Sequence, residues 1–394
     1  MDEILSEKKF NKNAPSFNQK VQNLDVSAVA AMFLLKAQVK NPIDLSVGIP
    51  DFDVPAVVKE AACQAIMQGR NSYSMPSGIL ELREKICKKL LDENGISTNP
   101  EQVVITGAVS GALSAVFTAI LNPSDEVLIF EPAFMCYAYW VKMCGGIAVK
   151  VKRNTDFSLD FAELKKKITP RTKAAVISTP ENPTGKVYSK EELQQLVEIL
   201  QQHNILLISD EIYEKFCYSE FLQIPLTHCS PASFYDRTIT VNGFSKTYAM
   251  TGWRIGYCVG PREVMEQVMK IHQTNFVCAP TPFQYAALRA LEKDVQELVQ
   301  QQVQRYQKNR DMLYEGLKDC YELVKPQGAF YAFVKYPYQG KKFIQDCLQR
   351  NLLVVPGSAF AEENTHFRIS FATSEKIVKE GVRVLREMVE KDRQ

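Results

Sequence analysis

Several residue patterns that define whole classes of protein are missing from this chain of 394 residues. Its four histidines include no H-x-x-x-H pair, so a metal-hydrolase helix has little to build on. Ten cysteines run from Cys63 to Cys347 without one C-x-x-C pair, which argues against a zinc site or a disulfide framework. Reduced thiols in the cytoplasm are the expectation. Charge of neither sign is in excess: 47 basic against 45 acidic side chains leave +2, no footprint for nucleic acid or an anionic membrane. No apolar run approaches the roughly eighteen residues that cross a bilayer. The start, MDEILSEKKFNKN, lacks the apolar stretch of a signal peptide, so secretion or organelle import is not expected. What is present is ordinary globular composition, 46% hydrophobic and 23% charged. The length suits two or three domains and a large core.

Residues 1 to about 20 read as a polar, loose arm. From about 50 to 290, helical patterns alternate with short apolar runs: VVIT (103–106), EVLIF (126–130), AAVIST (174–179), ILLIS (205–209), TITV (238–241) and GYCV (256–259). Near-continuous Val/Ile/Leu runs separated by helical stretches read as parallel strands covered on both faces. Helices are expected over SGALSAVFTAIL (110–121), FAELKKKI (161–168) and KEELQQLVEILQQH (190–203), the last capped by Ser189. Beyond 290 a long amphipathic helix precedes the strand-like AFYAFVKY and HFRISFA, an α+β pattern. The expected fold is α/β: a large domain with a mostly parallel sheet under two helical layers, plus a smaller α+β domain. Its parts are residues 1–47 (the arm and some of the small domain), 48–290 (the large domain) and 291–394 (the small C-terminal domain).

Ligands of open parallel sheets sit beyond the carboxyl ends of the strands, so the residues after each run carry the information. After VVIT come Gly107, Ala108, Val109 and Ser110, leading into a helix: a phosphate seat, or a plain small-residue turn. Phe134 follows the second run as an aromatic face or a core side chain, and Asn182 stands in a proline-rich turn after the third. Asp210 follows ILLIS, where an acid needs a cation or hydrogen bonds to offset its desolvation, or else caps a helix. Tyr213 lies three residues on. After TITV comes Lys246 in an apolar setting, FSKTYAMTGWR, with Arg254 eight residues further. Converging on one crevice, these residues describe a ligand with a phosphate, a flat ring, a protonated ring nitrogen, a phenolic oxygen and a carbonyl. That ligand is pyridoxal 5′-phosphate, whose carbonyl a buried, partly neutral lysine can attack.

At this point the chain resembles the class I/II aminotransferases, pyridoxal-phosphate enzymes of fold type I, in their aspartate/aromatic branch. The segments that carry the resemblance are LSVGIPDFDVP (45–55), NSYSMPSGILELREKI (71–86), ENPTGKVYS (181–189), SDEIYEKF (209–216), NGFSKTYAMTGWRIGY (242–257) and HFRISFA (366–372). The resemblance implies that Lys246 is the Schiff-base lysine and proton carrier. Asp210 would pair with the ring nitrogen, Tyr213 and Asn182 would contact the ring oxygen, and Phe134 would stack on the ring. Ala108, Val109, Ser110 and Arg254 would hold the phosphate. Tyr73 would reach it from the second subunit of a homodimer. Arg368 would grip the substrate α-carboxylate bidentately, with Asn182 beside it and Gly48 adding a backbone contact. The implied reaction is ping-pong transfer of an amino group from an aspartate, aromatic or neutral L-amino acid to a 2-oxo acid such as 2-oxoglutarate. Gly243 stands where the family often has a serine, Phe134 where it often has tryptophan, and Ser110 where aspartate-preferring relatives tend to have lysine. The same cofactor set would also serve β- or γ-eliminating lyases and related synthases. An aminotransferase-like sensor of transcription regulators would need a winged-helix domain, whereas about twenty polar residues precede the body.

Overall fold

The computed structural model describes residues 39–218 and 228–390 together with Asn18, Val21 and Leu24. The arm expected over the first twenty residues lies almost wholly outside them.

Seven strands form the main sheet: β2 (Val103–Thr106), β3 (Glu126–Glu131), β4 (Ile147–Lys152), β5 (Thr172–Ser178), β6 (Leu206–Asp210), β7 (Thr238–Gly243) and β8 (Gly256–Val259). Their spatial order is β2-β8-β7-β6-β5-β3-β4. All neighbouring pairs are parallel except those of β8, which is antiparallel to both β2 and β7. The carboxyl ends of β2, β3, β5, β6 and β7 therefore share one edge of the sheet. Alternate side chains feed two cores. Val127, Ile129, Val176, Ile208 and Val241 pack on one face with helix α3 (Ala108–Ile120) and helix α7 (Arg262–Phe276). Leu128, Phe130, Ala175, Ile177 and Leu207 pack on the other with helix α6 (Lys190–Gln202). Two apolar faces explain why these strands read as unbroken apolar runs. The run IAVKVK is not among the expected strands. It forms β4 at the sheet edge, where partial exposure tolerates Lys150 and Lys152.

Local signals set the helix ends. The Ser189 hydroxyl accepts from the Glu192 N–H at the start of α6. Helices α1 (Ala56–Met67) and α2 (Leu80–Asn94) precede β2, and α2 stops at Gly95 with φ +68°, a left-handed cap. Helix α4 (Cys136–Met143) follows β3 and α5 (Phe161–Lys167) follows β4. Beyond α7 come α8 (Thr281–Ala290) and the long α9 (Lys293–Leu317).

The rest of the chain builds a smaller α+β assembly. Strands β11 (Val355–Pro356), β12 (His366–Ser370) and β9 (Tyr331–Lys335) form an antiparallel sheet in that order. Strand β1 (Ile43–Asp44) pairs in parallel with β10 (Leu352–Leu353), so residues just before the main sheet join the C-terminal part. Helices α10 (Gly340–Gln349) and α11 (Glu375–Glu390) complete it. No helix among the described residues is long and apolar enough to cross a membrane.

Candidate active site

One cavity of about 280 Å³ opens at the carboxyl edge of the sheet and reaches the smaller assembly. Of the residues singled out in the sequence, Gly48, Ala108, Val109, Ser110, Phe134, Asn182, Asp210, Tyr213, Lys246, Arg254 and Arg368 line it. Tyr73 does not; its side chain is 80% exposed on the outer surface.

Each element delivers its residue for a physical reason. Helix α3 starts directly after β2, and no side chain caps its first turn. Its unpaired N–H groups and positive dipole end thus face the cavity. Ala108 is held there at φ +63°, and Gly256 of β8 lies against it. A methyl group at Gly256 would sit 2.7 Å from the Ala108 carbonyl carbon and 2.9 Å from the Val109 nitrogen. Arg254, at φ +57°, donates from Nη1 to the Thr251 carbonyl at 2.7 Å.

Asp210 closes β6 and is buried. One carboxylate oxygen accepts from the Ile212 N–H at 3.2 Å and the other from the Tyr137 hydroxyl at 2.7 Å. Burial pushes its carboxyl up to about 6, against the pull of those hydrogen bonds. Lys246 follows β7 and donates from Nζ to the Gly48 carbonyl at 2.7 Å. Burial, reinforced by Arg368 and Arg254, lowers its amine to about 8. Arg368, on β12, is 4% exposed. It donates to Asn182 Oδ1 at 2.9 Å and to the Ser46 carbonyl at 2.7 Å, while its Nε has no partner. Both partners are neutral, so the guanidinium keeps its full charge for a ligand. Among the lining residues Lys246, Arg254 and Arg368 face one acid, Asp210, an excess that suits an anionic ligand.

The sequence reading missed other residues of the wall: Tyr137, Trp140, Ser178, Ser245, Thr251 and Tyr331. Tyr137 and Trp140 ride on α4, a helix of eight residues too short to carry a periodic signal, and the Trp140 indole stacks on Phe117 at 6.5 Å. Tyr331 was legible only as part of an apolar strand.

An uncapped helix start after β2 meets a buried acid and a lysine of lowered pKa at the ends of the neighbouring strands β6 and β7, which agrees with the resemblance to the fold-type I transferases. The sequence profile of the family described as aminotransferase class I and II matches residues 40–385. A probable aspartate aminotransferase of Methanocaldococcus jannaschii is 37% identical over 95% of this chain and 100% of its own length. Aromatic-amino-acid aminotransferase 2 of Thermococcus litoralis is 35% identical over 93% of this chain and 96% of its own. The solved aspartate aminotransferase of Thermus thermophilus with maleate superposes with a TM-score of 0.89 at 36% identity, covering 95% of this chain and 100% of that one. The chain belongs to the class I and II aminotransferases and is an aminotransferase. The lyase and sensor alternatives are not favoured.

Proposed function

We propose that this aminotransferase uses pyridoxal 5′-phosphate bound in the cavity at the sheet edge. The observation that carries the reading is the meeting of three groups there: the lowered amine of Lys246, the buried acid Asp210, and Arg368 with only neutral partners. The donor set fits the cofactor. The α3 start and Arg254 match a phosphate, and Asp210 matches a protonated ring nitrogen, which would remove the penalty on its ionised form. When bound, the cofactor supplies a carbonyl that takes up and releases the amino group and a ring that withdraws electrons from the substrate Cα–H bond.

Ala108, Val109 and Ser110 bind the phosphate through the helix start, helped by Arg254 and by the partner subunit's Tyr73. Phe134 covers the ring, Asn182 and Tyr213 hold its oxygen, and Asp210 keeps its nitrogen protonated. Arg368 orients the α-carboxylate with Asn182 and the Gly48 backbone. Lys246 would hold the cofactor's carbonyl and, once the substrate amine has displaced it, would take the Cα proton onto its own neutral Nζ. An amine near 8 exists partly neutral at physiological pH, which that task requires. The order is ping-pong: an L-amino acid leaves as its 2-oxo acid before a second 2-oxo acid enters. Donors are drawn from aspartate, aromatic and neutral L-amino acids, with 2-oxoglutarate as a fitting acceptor; relatives carry both aspartate and aromatic names. Residues 48–290 form the cofactor-holding domain, and 291–394 with part of 1–47 the smaller one. The enzyme is a cytoplasmic homodimer.

Borohydride reduction of the protein with pyridoxal 5′-phosphate, followed by peptide mapping, tests this reading. The pyridoxyl label is expected on Lys246 and absent from Lys246→Ala. A label on another residue of the wild-type protein overturns the assignment.

A further inference from the structure

Tyr331 belongs to no motif, yet it stands where the two halves of the site meet. It opens β9, is 1% exposed and lines the cavity. Its hydroxyl oxygen lies 2.9 Å from that of Tyr213. Its ring lies over the Arg368 guanidinium, 4.4 Å from the central carbon, and Phe360 flanks the same carbon at 4.9 Å. Gly48 is pressed against it: a methyl group at Gly48 would sit 2.0 Å from the Tyr331 hydroxyl oxygen. The carbonyl of that glycine is the acceptor for Lys246.

Two consequences follow. A guanidinium held against two aromatic rings has fewer directions left from which a ligand can approach, and in a desolvated site the ring contact adds to its hold. Nη1 and Nη2 each already have one neutral acceptor and Nε has none, so the plane fixed by the rings sets where a carboxylate can dock. The second consequence concerns protons. A phenol has one proton to donate. If Tyr213 directs its own at a ligand oxygen, the short contact between the two hydroxyls is filled only by donation from Tyr331. A hydroxyl that accepts one hydrogen bond donates the next more strongly.

We propose that Tyr331 is a positioning residue that couples the halves of the site: its ring sets the plane of Arg368 for the substrate carboxylate, and its hydroxyl donates to Tyr213 and strengthens the bond Tyr213 gives to the cofactor's ring oxygen. This rests on the roles proposed above for Tyr213 and Arg368. The two functions reside in different atoms, so two variants separate them. Tyr331→Phe keeps the ring and its volume and removes only the hydroxyl. Tyr331→Leu removes the flat face as well.

The experiment uses wild type and both variants loaded with pyridoxal 5′-phosphate. One readout is the pH midpoint of the cofactor's visible absorption. The other is the dissociation constant of a substrate mimic with an α-carboxylate but no Cα proton, whichever of 2-methylaspartate and 2-methyltyrosine perturbs the wild-type spectrum. A weaker Tyr213 bond stabilises negative charge on the ring oxygen less, so Tyr331→Phe is expected to raise the midpoint by about half a pH unit. The same variant should leave mimic binding within about twofold, whereas Tyr331→Leu should weaken it about tenfold. A Phe midpoint equal to that of wild type overturns the coupling, as does a folded Leu variant that binds the mimic normally. The Phe measurement stands alone if the Leu variant does not fold. A wild-type protein that develops no cofactor absorption overturns instead the reading beneath the proposal.

Discussion

The same enclosure moves Lys246 and Asp210 in opposite directions, because it disfavours whichever form carries charge. For Asp210 the sign has a measurable consequence. Its folded-state value, about 6, lies above the ordinary 3.8, so the folded chain without cofactor holds this proton more tightly than the unfolded chain does. Stability contributed by the protonated acid is complete below pH 3.8 and is lost as the pH rises through 6. Asp210→Asn removes the titration while its amide oxygen can still accept from the Ile212 N–H and its NH2 can donate to the Tyr137 hydroxyl. The cofactor-free variant should therefore be more stable than cofactor-free wild type at pH 7.5, by at most about 3 kcal/mol for a two-unit shift, and equal to it near pH 3.5. It should also bind pyridoxal 5′-phosphate at least tenfold more weakly. Denaturant titrations at the two pH values decide the matter; equal stabilities at pH 7.5 would mean that the acid is not penalised by burial. Lys246 obeys the opposite sign: its cost is present below about pH 8 and fades as the pH climbs toward 10.5. These residues were legible in the sequence because charge after an apolar run demands an explanation. Tyr137 and Tyr331 were not, since a tyrosine among apolar neighbours needs none and its hydroxyl partner lies far along the chain.

Elements buried on both faces were legible for a related reason. Runs such as VVIT and ILLIS have no polar face to show, and the observed β2 and β6 coincide with them to within a residue. Strand order was not legible, because side-chain patterning records burial and not neighbours. Nor did the sequence reveal that β8 runs antiparallel, which brings Gly256 beside the start of α3. That contact fixes the proposed phosphate seat. A side chain at 256 would press on backbone atoms of Ala108 and Val109, which cannot swing aside as a flexible side chain can. Gly256→Ala should therefore leave the far-ultraviolet circular dichroism unchanged while raising the dissociation constant for pyridoxal 5′-phosphate about tenfold or more, at the cost typical of overpacking, about 1–3 kcal/mol. Unaltered cofactor affinity would show that α3 shifts without loss and that its start is not the seat.

At the scale of the whole molecule, one surface stays unexplained by a single chain. Met67 at the end of α1 and Tyr73 and Met75 in the turn after it are 86%, 80% and 66% exposed. Yet that turn is pinned to α8: the Thr281 hydroxyl donates to the Ser72 backbone carbonyl at 2.8 Å and the Gln284 amide to the Ser74 side-chain hydroxyl at 2.9 Å. A held turn carrying bare apolar side chains would suit a partner surface. In a two-fold dimer each subunit would offer the other the same patch, and Tyr73 would then serve the opposite site. Complementation tests that geometry directly. Tyr73→Ala and Lys246→Ala, each expected to be severely impaired, are unfolded together and refolded. Random pairing puts about half of the dimers in mixed form, each with one intact site made of one chain's Lys246 and the other's Tyr73, so about a quarter of wild-type activity should return. If Tyr73 acted within its own chain, no pairing could rebuild a site and none would return. Light scattering should meanwhile give twice the 44.6 kDa of the single chain. Met67→Glu combined with Met75→Glu should halve that mass and lower cofactor affinity together, because the patch and the site would be lost in one step.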